Sequence, residues 1–139
     1  MNGDKLLSRI HKNAQMGLLT VPVVAELTHD GDFRRMLRLQ HTEYKNIFYT
    51  AERLTPAKSL LDLSSIAQKR TKAMITVSSL ADRSASHFAE MMILGSTRGV
   101  IDLQKALTKY QSAPRATREL AKTLLEVEEN NIGRLKQYL

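Results

Sequence analysis

The chain has 139 residues, 42% of them hydrophobic and 25% charged, the proportions of a single globular domain whose core needs no covalent staples. It contains no Cys, which excludes disulfides, thiolate metal sites and Cys nucleophiles and fits a reducing cytoplasm. A formal net charge of +7 makes it basic, but Lys and Arg are dispersed and no nucleic-acid reading motif accompanies them, so any nucleic-acid binding is expected to be non-specific.

The residues predict an all-α domain spanning 1–139 and built from five helices. Asp4 is placed to cap the first, which runs to about Thr28 with Leu7, Ile10, Ala14, Gly17, Val21 and Val24 inward, and Pro22 should kink it. His29-Asp30-Gly31-Asp32 is a tight turn, and Asp32 is placed to cap the second helix, which ends near Leu54. Thr55-Pro56 breaks the pattern, and Ser59-x-x-Asp62 has the form of a capping box opening a third helix to about Leu80. The fourth runs from about Ser84 to Gln111, and Ser112-Ala113-Pro114 separates it from the fifth. The polar start and the short apolar run from Leu18 to Val24, interrupted by Pro22, predict neither a signal peptide nor a membrane span.

Loop lengths constrain the topology. Short links make the first two helices one antiparallel hairpin and the last two another. The long connection between them, mostly the third helix, can carry the chain back along the domain and leave the fourth helix parallel to the second. Two hairpins joined by a long crossover is a ferritin-like four-helix arrangement, although the same loops also permit a plain five-helix up-and-down array.

Two tetrads, Glu43-x-x-Asn46 and Glu128-x-x-Asn131, fall in the apolar stripes of their helices. Stepping by three or four gives Met36, Gln40, Glu43, Ile47, Thr50 and Leu54 in the second helix, and Leu120, Leu124, Glu128, Asn131 and Leu135 in the fifth. An ionised carboxylate on a packed face is costly unless it is paired. The tetrads therefore predict either a metal site or a buried polar layer, closed by hydrogen bonds with Tyr44 or by a Lys or Arg.

With that order of helices, the chain resembles the ferritin-like superfamily over nearly its full length. The resemblance implies a site in which Glu43 and Glu128 match the Glu of the two Glu-x-x-His tetrads, Glu90 matches the lone Glu of the third bundle helix, and Gln15 falls where the first helix supplies its Glu. Asn46 and Asn131 stand in the positions of the two His. Asp82-Arg83-Ser84, His87, Ala89-Glu90-Met91 and Gly95-Ser96-Thr97 also resemble a segment of small helical proteins of spore-forming Firmicutes, to which no activity is attached. Amides are poor substitutes for imidazole at a transition metal. At most three carboxylates would face the four positive charges of two divalent ions, so no di-iron centre and no other cofactor is expected. The motif leaves room for one weakly held divalent ion assisted by His87 or His11.

The fourth helix carries more apolar residues than one core stripe needs, with Met91, Met92 and Leu94 beside a small-x-x-x-small pair, Gly95 and Gly99, which makes it the expected homo-oligomer contact. Arg34, Arg35 and Arg38 and the group Lys69, Arg70 and Lys72 are the candidate anion-binding clusters. The leading expectation is a non-catalytic binding or structural protein, with no catalytic residues assigned, acting through self-association. A metal-dependent oxidase or storage protein using Glu43, Glu90 and Glu128, and a non-specific nucleic-acid or anion binder, are the alternatives.

Overall fold

The computed structural model describes residues 2–55 and 65–139. Among them are five helices and no strand: α1 (Asn2–Leu27), α2 (Gly31–Leu54), α3 (Ser65–Ser78), α4 (Ala85–Lys109) and α5 (Arg115–Lys136). The expected capping box at Ser59 and Asp62, and the start of the third helix with it, lie outside the described residues.

In α1 the buried positions Leu6, Leu7, Ile10, Ala14, Leu18, Val21 and Val24 recur every three or four residues, one face of a 3.6-residue period. The helix begins at Asn2, so Asp4 sits in its first turn rather than at its cap. Pro22 is exposed, and the helix continues past it to Leu27. Arg34 then donates to the carbonyls of Ala25 and Thr28, giving the last turn of α1 the partners it lacks within the helix.

Asp30, not Asp32, caps α2: its Oδ1 accepts from the Phe33 N–H at 2.9 Å. The earlier acid reaches an amide of the first turn, so the helix starts at Gly31 and leaves Asp32 on the surface beside Arg35. The buried face of α2 is Phe33, Leu37, Gln40, Tyr44, Ile47, Phe48 and Ala51. That stripe keeps Gln40 and Ile47 but is centred roughly 70° round the helix from the expected one, because Phe33, Tyr44 and Phe48 offer the largest apolar area to bury. Met36, Glu43 and Thr50 consequently lie half-buried at its edge, and Leu54 is exposed.

Ser84 caps α4 by accepting the His87 N–H at 3.1 Å, itself braced by Asp82, whose Oδ1 accepts from the Ser84 N–H at 2.9 Å. The inward stripe of α4 is Phe88, Ala89, Met92, Ser96, Gly99, Leu103 and Ala106. In α5 it is Thr117, Leu120, Ala121, Leu124, Glu128, Asn131 and Leu135.

End contacts fix the directions. Asn2 donates to Ser112 and Gly3 lies against Pro114, so α1 and α5 start at the same end. At the other end the Phe33 ring meets Tyr138 edge-on at 4.9 Å, and Ser86 reaches the Leu139 carbonyl. There α5 ends while α2 and α4 begin. Helices α1 and α5 therefore run one way, α2 and α4 the other. The most extensive packing is within the α1–α2 and α4–α5 hairpins, and α3 packs against α1. The four long helices enclose one apolar core, to which α3 adds Ile75. No helix among the described residues is long and apolar enough to cross a membrane.

Candidate binding groove over a buried carboxyl

Where the two hairpins meet, one residue from each makes the central polar contact. The Tyr44 hydroxyl of α2 donates a hydrogen bond to Oε1 of Glu128 on α5, and both side chains are buried. Glycines on the other two helices make room for the pair. A Cβ on Gly17 of α1 would sit 2.4 Å from the Tyr44 ring, and one on Gly99 of α4 would sit 2.6 Å from Glu128 Oε2 and 2.8 Å from Asn13 Nδ2. The backbones of α1 and α4 thus approach the pair more closely than any larger residue allows.

Burial dominates the electrostatics. It pushes the Glu128 carboxyl up to about 7, only partly countered by the hydrogen bond from Tyr44. The Tyr44 hydroxyl is driven well above its ordinary range, first by burial and then by the charge of Glu128. Ser96 and Asn131 lie near that hydroxyl and oppose part of the shift. Asn131 Nδ2 makes no hydrogen bond of regular geometry among the described residues, while its Oδ1 accepts from Arg134 at 3.1 Å. Arg134 also pairs with Glu43 at 3.0 Å, a second tie between α2 and α5.

This pair floors a groove of about 660 Å³ between α1 and α4. Met16, Met74, Met91 and Met92 line it beside Val21, Ile75 and Leu103, and the small residues Gly17, Gly95, Ser96 and Gly99 leave its centre open. Arg9, Lys12, Arg98 and Asp102 also line it. Their signal in the sequence is faint: Arg9, Lys12, Asn13, Met16 and Thr20 recur at helical spacing beside the core stripe of α1.

The expected cluster assembles only in part. Glu128 and Asn131 are buried at the hairpin junction, and Glu43 is half-buried against Arg134. Gln15 is buried on the α1 face that also carries His11, outside the groove. Asn46 and Glu90 are exposed and do not join it. Tyr44 takes the inward place that the earlier stripe gave to Glu43, which leaves Asn46 outside. On α4 the inward turn holds Ala89 and Met92, so Glu90 projects from the opposite side.

Neither histidine approaches Glu128 as a co-ligand. His11 is buried with its ring 4.1 Å from that of Phe48 and Nε2 3.8 Å from Glu52. His87 sits half-buried in the first turn of α4, where its backbone N–H donates to the capping Ser84 hydroxyl. Among the described residues no three His, Asp or Glu side chains come together in an arrangement able to hold a metal ion. One carboxyl closed by a tyrosine is a poor donor set for a divalent cation, since the hydroxyl occupies an oxygen the ion would need.

The basic clusters are similarly divided. Arg34 is committed to α1 carbonyls, Arg35 pairs with Asp32, and Lys72 pairs with Glu26 at 3.3 Å, while Arg38, Lys69 and Arg70 are exposed. Of the expected oligomer contact, Leu94 and Gly95 are exposed, Met91 is half-buried, and Met92 and Gly99 are buried. Gly99 serves its own chain, by admitting Glu128 and Asn13. Compared with known protein families, curated proteins and solved structures, the chain finds no match in any of the three.

Proposed function

We propose that this is a non-catalytic, ferritin-like helical bundle of the cytoplasm that acts by binding and associates with itself through the outer faces of α3 and α4. The ferritin-like assignment is supported by the two hairpins, the parallel α2 and α4, and the long connection that contains α3. Self-association rests on one observation. Ile66, Val77, Leu80, Leu94 and Ile101 remain between 49% and 70% exposed, all on α3, α4 or the turn between them. Monomeric proteins seldom leave so many large apolar side chains in water on two consecutive elements. Leu94 and Ile101 are seven residues apart, two helical turns, and so share one side of α4.

Light scattering across a dilution series tests this reading. The wild type should form a dimer or larger species that dissociates on dilution, and Leu94→Glu with Ile101→Glu should shift it to monomer without loss of helical ellipticity. A wild type that stays monomeric at high micromolar concentration overturns it.

A further inference from the structure

We propose that the groove between α1 and α4 binds a single-chain amphiphile with an anionic head group. The proposal goes beyond self-association and does not depend on it. Three observations carry it: the size of the groove, the asymmetry of its lining, and its charge.

Size suits a small, elongated occupant. From Ser8 to Val21 the α1 bank rises by about 20 Å at 1.5 Å per residue, and the groove offers about 660 Å³. A small ligand fits, since such sites commonly enclose about 300–1,000 Å³. An extended chain advances roughly 1.2 Å per bond, a third of the span of a fully extended residue, so about sixteen carbons match the groove.

The lining sets the orientation. Gly99 beside Asn13 fixes the register of the antiparallel α1 and α4. Arg9, Lys12 and Arg98 therefore share one half of the groove with Asp102, while Val21, Met91 and Met92 share the other. Among the described residues none of these three cations makes an ion pair, and with Asp102 that half carries a net charge of +2. An anionic head is favoured there by direct charge complementarity. The other half offers unbranched thioether side chains that adapt to a flexible hydrocarbon. Between them the Tyr44 hydroxyl donates to Oε1 of Glu128, a contact that a chain passing over the floor leaves intact.

Calorimetric titration of the full chain tests this with hexadecanoate, hexadecyl phosphate and hexadecyltrimethylammonium, each below its micellar concentration. The two anions should bind one per chain, and the cation at least roughly tenfold more weakly; their relative affinity distinguishes a carboxylate from a phosphate head. Gly95→Leu should abolish binding, because nothing lies within 4 Å of a Cβ there and the side chain can enter the open groove. Replacing Arg9, Lys12 and Arg98 by Gln should weaken anion binding by at least roughly tenfold, the size of one lost charge-assisted contact, and leave the cation unaffected. All three substitutions are on the surface, so this variant carries the test if Gly95→Leu does not fold.

Three outcomes overturn the proposal. They are no binding of either anion, equal binding of anions and cation, and anion binding undiminished in both variants. If Gly95→Leu instead converts a dimeric wild type that binds no amphiphile into a monomer, the groove is an interface between copies. Binding of an acidic amphipathic peptide, abolished in Gly95→Leu and with neither anion binding, would assign it to a protein helix. Leu94→Glu with Ile101→Glu reads self-association separately, so the two readings fail independently.

Discussion

Replacing Glu128 by Gln should change the pH dependence of stability more than stability itself at low pH. Burial raises the folded carboxyl from an ordinary value of 4.5 to about 7. Below about pH 4.5 the group is protonated in both the folded and the unfolded chain, and its preference for the neutral form stabilises the fold fully. As pH rises from there to 7, the unfolded chain releases the proton and the folded chain retains it, so stability falls with each unit. Above 7 both states are ionised and the loss is complete. At about 1.4 kcal/mol per pH unit over a window of some 2.5 units, the total is roughly 3 kcal/mol.

Gln keeps the shape of the side chain and an acceptor for Tyr44 but cannot titrate. Urea unfolding followed by helical ellipticity, in steps from about pH 4.5 to 8, should therefore show the wild type losing stability relative to Glu128→Gln by about this amount, with equal denaturant slopes. His41 is held below its ordinary value by burial and by Lys45. It titrates in both proteins and cancels from the difference. Parallel profiles for the two proteins would refute the argument, because they would mean that the carboxyl is hydrated or already paired with a cation.

Three further expectations rest on single contacts. Tyr44→Phe removes the donor to Glu128 and should cost roughly 1–3 kcal/mol in urea unfolding, while moving the titration of Glu128 still higher. Gly17→Ala should destabilise by about 1–3 kcal/mol because its Cβ would collide with the Tyr44 ring. Gly133→Ala, whose Cβ meets nothing within 4 Å, should stabilise by about 0.5–1 kcal/mol, and thermal unfolding of the two variants reads the contrast. Asp30→Ala should cost about 1 kcal/mol through loss of the α2 cap, whereas Asp32→Ala, outside the cap and in an exposed ion pair, should change stability by less than about 0.5 kcal/mol. Similar losses for the two would show that the cap assignment is wrong.

The elements were legible in the sequence because their signals are local. Ser84, the break around Ser112 to Pro114, and the steps from Leu120 to Leu135 each declare themselves within one or two turns. The face that α2 presents was not legible from spacing alone. Two adjacent stripes, one through Glu43 and one through Tyr44, both repeat at helical intervals, and the choice falls to the stripe with Phe33 and Phe48, whose partners come from other helices. That rotation of roughly 70° removes Asn46 from the interior and replaces a glutamate with a tyrosine. On α4, Glu90 was placed by family likeness, and the packing of Ala89 and Met92 excludes it. The groove was hidden for a different reason. It is a property of the space between α1 and α4, and nothing in either helix states how far apart the two will stand.

The polar and aromatic ties between the hairpins have a mechanical consequence. Tyr44 to Glu128, Glu43 to Arg134 and Phe33 to Tyr138 all join α2 to α5. Helix α3 packs on α1. These ties lie between the middle and the end where α2 begins and α5 ends, whereas at the other end the hairpins are joined on the far side, by Asn2 and Ser112. Fastenings on opposite sides at opposite ends resist a hinge-like opening. The softer collective motion should be a twist of one hairpin against the other, without unfolding a turn of helix.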